Sequence, residues 1–177
     1  MQRMLVMTVI GQDRPGLVES VARLVAEHGG NWLESRMSRL GGQFAGILRV
    51  EIPAEREVTL VASLKKLDAC GLAVVVSQDQ APLPIVGGKL RALEIVGHDR
   101  PGIVRQIAQA LARHNVNVED LETERSSAAM TGEILFKASA KLNIPGSCDL
   151  AALRQELEKI AADLIVDISL GEVSQAE

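Results

Sequence analysis

Apolar positions along this chain change their spacing in a fixed order, and the order runs through twice. Met4 to Ile10 is a short apolar run with β-branched residues, which predicts a buried strand. Leu17, Val21, Leu24 and Val25 then fall at i, i+4, i+7 and i+8, the spacing of one helix face. That helix is expected to stop at His28-Gly29-Gly30, where glycine supplies a left-handed exit and histidine sits near the negative helix end. Asn31 to Leu40 alternates, Gly41-Gly42 is a hairpin signal, and Gln43 to Ile52 reads as the returning strand, stopped by Pro53. Leu60, Val61, Leu64 and Leu67 mark a second helix, Gly71 follows it, and Leu72 to Val76 closes the set as a strand.

From Gln80 to Lys89 the chain holds Pro82, Pro84, Gly87 and Gly88 without periodicity, which predicts a linker. The pattern then restarts. Leu90 to Gly97 is a strand, and Ile103, Ile107, Ala110 and Leu111 repeat the first helix face at an offset of 86. Val116 to Glu124 and Thr131 to Leu142 form a strand pair joined by a longer Ser-Ala connection. Leu150, Leu153, Leu157, Ile160, Ala161 and Leu164 line a last helix, Ile165 to Val173 is a final strand, and Ser174 to Glu177 reads as a frayed tail. Each half is therefore β-α-β-β-α-β, the ferredoxin-like split βαβ unit, with two helices on one face of an antiparallel sheet. The fold class is α+β in two tandem domains, residues 1–80 and 90–177, with 81–89 between them. Strands two and four of each unit lie at the sheet edges, which leaves edges open to pairing.

Composition sharpens this picture. The chain has 177 residues, so each half is near the small end of domains that fold alone and is expected to pack on the other or on a second copy as a homo-oligomer. Aromatic residues are 2% of the chain, so Ala, Val, Leu and Ile must build the cores. A net charge of −4 and so few aromatic rings argue against direct contact with nucleic acid. Cys70 and Cys148 are not at equivalent positions and read as two half-buried thiols rather than a metal or redox site. No apolar span is long enough for a membrane helix and no signal peptide pattern is present, so the expected location is the cytoplasm.

The chemistry concentrates in one octapeptide. Gly11-Gln12-Asp13-Arg14-Pro15-Gly16-Leu17-Val18 returns as Gly97-His98-Asp99-Arg100-Pro101-Gly102-Ile103-Val104, identical at six of eight positions. Both copies join a strand to a helix, where backbone N–H groups are unpaired and the helix dipole favours an anion. Gly16 and Gly102 let main chain approach a ligand, Asp13 and Asp99 suit an ammonium group, and Arg14 and Arg100 suit a carboxylate. Together they fit a small zwitterion such as an amino acid. The same Asp residues also read as ordinary helix N-caps reaching for the Gly16 N–H and its equivalent, and Arg14 ahead of a proline reads as solvent-directed. Both readings stay open. His28 and His114 match at the same offset and read as helix-end residues. Asn31 and Asn117 also match, and open the second strand beside the turn as a cap or a ligand contact.

A βαββαβ unit with Asp-Arg-Pro-Gly between its first strand and first helix, and Asn opening its second strand, resembles an ACT domain. Two such units filling a chain resemble the glycine cleavage system transcriptional repressor family. The resemblance implies a regulatory module that senses an amino acid at the interface between paired domains, with glycine as effector. It further implies that transcription is modulated through a DNA-binding activator as protein partner. Carried over residue by residue, the ligand set is Asp13, Arg14, Gly16, Leu17 and Asn31, and Asp99, Arg100, Gly102, Ile103 and Asn117. The copies differ where Gln12 becomes His98, Trp32 becomes Val118, and Gly29-Gly30 becomes Asn115-Val116, so the two sites need not be equally competent.

Against catalysis, the chain has no Ser-His-Asp or Cys-His arrangement, no CxxC pair, no HExxH and no phosphate loop. The expectation is a regulator that is not an enzyme and carries no cofactor or metal. The competing reading is a protein-interaction adaptor that needs no ligand, or the regulatory subunit of a metabolic enzyme.

Overall fold

The structure is a computed structural model, and it describes residues 1–80, 88–127 and 133–172. The chain divides into two compact units, Met1–Pro82 and Leu83–Glu177. In the first, β1 (Gln2–Gln12), α1 (Leu17–Glu27), β2 (Asn31–Leu40), β3 (Gln43–Pro53), α2 (Glu57–Lys65) and β4 (Leu72–Gln78) follow one another, with a 3-10 turn over Lys66–Cys70. In the second the order is β5 (Lys89–His98), α3 (Ile103–Arg113), β6 (Asn117–Ser127), β7 (Ile134–Ile144), α4 (Leu150–Leu164) and β8 (Val166–Glu172). Both sheets are antiparallel, in the orders β2-β3-β1-β4 and β6-β7-β5-β8, so the second and fourth strands of each unit are the edges, as expected.

The first helix face of each unit buries as its spacing predicts, whereas on the second helix Val61 is only half-buried and Leu67 falls past the end of α2, in the 3-10 turn. Leu17, Val21, Leu24 and Val25 pack with Leu5, Met7, Val9, Leu48, Val50 and Ile52 from one face of the first sheet. Leu60 and Leu64 of α2 close that core. Ile103, Ile107, Ala110 and Leu111 do the same in the second unit, with Leu153, Leu157, Ile160 and Leu164 of α4. Among the described residues no polar or charged one is buried, so apolar area removed from water holds each unit together.

Element ends obey local chemistry. Asp149 caps α4, its Oδ1 accepting from the N–H groups of Ala151 and Ala152, each at 3.0 Å. His28 and His114 stand at helix ends. His28 Nδ1 donates to the Leu24 carbonyl at 2.8 Å, and His114 Nε2 donates to Glu156 Oε2 at 3.0 Å. The Gly29 exit of the first helix is left-handed at φ 72°, and Asn115 takes the same place in the second unit at φ 55°. The equivalent pair after the second helix is Gly71 at φ 77° and Ile165 at φ 56°, a β-branched residue where glycine serves in the other copy.

The linker expectation falls mostly on residues 81–87, and the tail on 174–177, both outside the described residues; β5 already includes Lys89. Of the two free cysteines, Cys148 is half-buried as expected, whereas Cys70 is exposed at the end of its 3-10 turn. Burial lifts the Cys148 thiol above its ordinary value, and the neighbouring Asp149 charge adds to that. Among the described residues, no helix is long and apolar enough to cross a membrane.

Candidate functional site

Each repeated turn is anchored from below. The Asp13 N–H donates to the Gly42 carbonyl at 2.9 Å, and the Asp99 N–H to Ile134 at 3.1 Å, tying each turn to the hairpin end of the neighbouring strand pair. The chain then turns at Pro15-Gly16 and Pro101-Gly102, with both glycines left-handed at φ 91° and 97°. These glycines, not the aspartates, are the N-caps of α1 and α3, and among the described residues no side chain caps the N–H groups of either helix start. The N-cap reading of Asp13 and Asp99 is therefore corrected. Each Asp lies three residues ahead of the cap, beyond reach of the second and third helical N–H groups that a capping oxygen serves.

Their carboxylates go elsewhere. Asp13 Oδ2 pairs with Arg39 at 3.4 Å and Asp99 Oδ2 with Arg125 at 2.7 Å. Arg39 and Arg125 are themselves 86 residues apart, so the pair is part of the repeat. Arg39 lies opposite Phe44, which also lies opposite Gly11; Arg125 lies opposite Phe136, which lies opposite Gly97. The only two phenylalanines in the chain thus floor the same spot in both units. The Arg pair was legible in the sequence as a second match at offset 86, hidden within an alternating strand. The Phe pair was not, because the β6–β7 connection is longer by six residues and moves its offset to 92.

Beyond the Asp residues, the predicted set divides. A Cβ placed on Gly16 or Gly102 meets nothing within 4 Å, so the approach to both uncapped helix starts is open. Leu17 and Ile103 bury their side chains in the cores and can offer a ligand only their backbone N–H. Arg14 is exposed, as expected, and its guanidinium donates to the Cys70 carbonyl. Arg100 is exposed, and among the described residues it makes no hydrogen bond or ion pair. His98 adds an imidazole 3.9 Å from Glu133 where the first unit has Gln12.

Asn31 and Asn117 do not join these groups within their own unit, which corrects the expectation that they lie beside the turn. Asn31 pairs with Glu51 while Gln12 pairs with Gln43, eight rows along β3 and about 26 Å away. The same eight rows separate Asn117, opposite Asn143, from His98, opposite Leu135. The physical reason is the crossover: α1 runs back along β1, so β2 starts where β1 started. Asn117 Nδ2 is occupied locally, donating to Glu119 Oε1 at 2.8 Å.

What remains at each turn is an open helix start with free backbone donors, a glycine without a Cβ in the way, and a carboxylate held by an arginine. Such a place can receive a small anion on the backbone and a cationic group on the Asp.

Known proteins show the same organisation. Residues 3–77 match the ACT domain, and residues 91–137 match the ACT domain again. The glycine cleavage system transcriptional repressor of Escherichia coli K12 is 23% identical over 179 aligned residues, covering 99% of this chain and 93% of its own. The protein of the same name from Shigella flexneri aligns with the same figures. The crystal structure of an unknown protein from Galdieria sulphuraria superposes with a TM-score of 0.86 at 27% identity, covering 98% of this chain and 99% of that one.

Proposed function

This chain belongs to the ACT-domain family, with one such domain in each half, and on that premise we propose a non-enzymatic regulator that senses a small amino acid at its strand-to-helix turns. Glycine is the first candidate for the effector, and a transcription activator or a metabolic enzyme the kind of protein partner it would act through. The observation that carries the reading is the repeated Asp–Arg pair beside an uncapped helix start: Asp13 with Arg39, and Asp99 with Arg125. The full-length likeness to proteins named as transcriptional repressors supports a regulatory role.

The chemistry suits a zwitterion. An amino-acid carboxylate lies against the first-turn N–H groups and the positive helix end, and its ammonium group meets the Asp carboxylate. Exposed Asp–Arg pairs hold each other by no more than about 1 kcal/mol, so a ligand can enter without a large penalty. The second unit is the stronger candidate. Its Arg100 is uncommitted, whereas Arg14 is engaged on the Cys70 carbonyl. A ligand regulates only as far as it binds two states of the protein unequally, so the signal must be a shift between states that differ around the turn.

Calorimetric titration of the purified full chain with glycine, alanine, serine and threonine checks this directly. Saturable binding of one of them at millimolar concentration or below, with a matching rise in melting temperature, is the expected result. No saturable heat and no thermal shift for any of them would remove the sensor reading and leave a ligand-independent adaptor.

A further inference from the structure

The face of the first sheet turned away from the helices carries an apolar strip, Ile10, Ile47 and Val75 with Ala45, Ala73 and Val6, and the matching face of the second sheet has little of it. Register defines three rows across β2, β3, β1 and β4. They read Ser38–Ala45–Ile10–Ala73, Arg36–Ile47–Thr8–Val75 and Glu34–Arg49–Val6–Ser77. Ile47 is 55% exposed, Val75 65% and Ile10 48%, although the buried sets of both units are complete without them. A shallow groove of about 470 Å³ runs over this face past Val6, Arg36, Ile47 and Arg49. In the second unit the equivalent rows read Glu124–Lys137–Val96–Asp167, Glu122–Ser139–Glu94–Ser169 and Asp120–Lys141–Ala92–Gly171. One fold thus carries both versions. Ser139 and Ser169 stand where the first unit has Ile47 and Val75, and Glu94 where it has Thr8, so the fold itself does not demand apolar residues at these places.

We propose that this open face of the first sheet is a self-association surface, on which a second copy of the chain packs sheet against sheet about a two-fold axis. The area suits that occupant. Four strands about 4.8 Å apart and rows about 7 Å apart give a footprint on the order of 400 Å². Two such faces give about 800 Å² in projection, and the relief of the side chains with the residues flanking the rows supplies the remainder toward the roughly 1,200 Å² total at which specific interfaces begin.

The charge pattern suits it as well. Arg49 is held by Asp79 at 2.6 Å and by Glu34 at 3.4 Å, so the patch presents no block of one sign that would select an acidic or basic partner. An apolar strip beside charges that sum to zero, Arg36 and Arg49 against Glu34 and Asp79, is self-compatible, as an isologous contact requires. An axis along the strands between β3 and β1 sets Ile47 over Thr8 of the copy. It also lays the aliphatic stem of Arg36 along Val75, away from its own twin. The polar face of the second unit, with five carboxylates in its three rows, stays in water.

The second unit supplies the test substitutions. Sedimentation equilibrium of the full chain is expected to show a dimer at about 10 µM protein. The double variant Ile47→Ser, Val75→Ser, which copies Ser139 and Ser169, is expected to weaken association at least about a hundredfold. Thr8→Glu, which copies Glu94, is expected to do the same from the centre of the patch, and circular dichroism should show both variants folded. Ser139→Glu on the other sheet should leave association unchanged. A wild-type chain that stays monomeric at about 100 µM, or a dimer that survives both face variants with its affinity intact, overturns the proposal. Should the double variant not fold, the Thr8→Glu chain decides alone.

Discussion

Gly11→Ala is expected to cost the first unit about 3 kcal/mol, lowering its melting temperature by roughly 10–20 °C. Gly11 lies in the middle of its sheet, between Phe44 on β3 and Leu72 on β4. A Cβ there would stand 2.4 Å from the Gly71 carbonyl oxygen and 3.3 Å from Leu72 Cα. That carbonyl cannot easily yield. Gly71 is fixed left-handed at the end of the 3-10 turn by its N–H bond to Asp68 at 2.9 Å, and Arg14 holds the adjacent Cys70 carbonyl. The repeat predicts the same intolerance at Gly97, whose added Cβ would come within 2.5 Å of Val166 Cγ1 and 2.7 Å of its Cα. Gly16→Ala is the informative control. It meets nothing within 4 Å and suffers only the positive φ of 91°, so it should cost about 1 kcal/mol. Urea unfolding of the three variants orders them; a Gly11→Ala chain as stable as wild type would mean that β4 does not pack against β1 as described.

Asp99→Ala is expected to weaken amino-acid binding by roughly 10- to 100-fold, the value of one charge-assisted hydrogen bond. It should leave the stability of the second unit within about 1 kcal/mol of wild type, because the carboxylate pairs with an exposed arginine rather than capping a helix. Had Asp99 been the cap, loss of binding could not have been told from fraying of α3. Its actual partner separates the two effects. Arg125→Ala should give a smaller loss, since it frees the carboxylate instead of removing it. Titration of the variant beside a thermal melt reads both quantities, and a binding constant unchanged in Asp99→Ala would exclude this aspartate from the ligand set.

Much of this architecture could be read from spacing alone. The helix faces built on Leu17 and Ile103 bury the very residues that their periodicity selected, because a helix with one apolar stripe has one way to face a core. The hairpin at Gly41-Gly42 forms where two consecutive glycines accept positive φ, at 58° and 78°. The turns of the candidate site were legible as a repeat, but the arrangement of the groups around them was not. Asn31 and Asn117 were grouped with the turn because sequence distance says nothing about which end of a sheet a crossover returns to, although the antiparallel course of α1 dictates the far end. Asp13 and Asp99 resembled caps because Asp ahead of a Pro-containing first turn usually is one; here the left-handed Gly16 and Gly102 take the cap position instead. Arg39 and Arg125 were visible as a repeat, but a charged residue in an edge strand carries no mark distinguishing a partner of Asp from a solvated side chain.

The left-handed Ile165 has a use of its own. It occupies the place that Gly71 fills in the first unit, and a β-branched side chain at φ 56° is held there at a cost of about 1–2 kcal/mol. Ile165→Gly should therefore raise the melting of the second unit by several degrees and leave that of the first where it was. In a calorimetric scan of a chain made of two look-alike halves, one substitution then acts as a label: the transition that moves belongs to residues 83–177, the one that stays belongs to residues 1–82, and every later ligand or variant can be assigned to the half it touches.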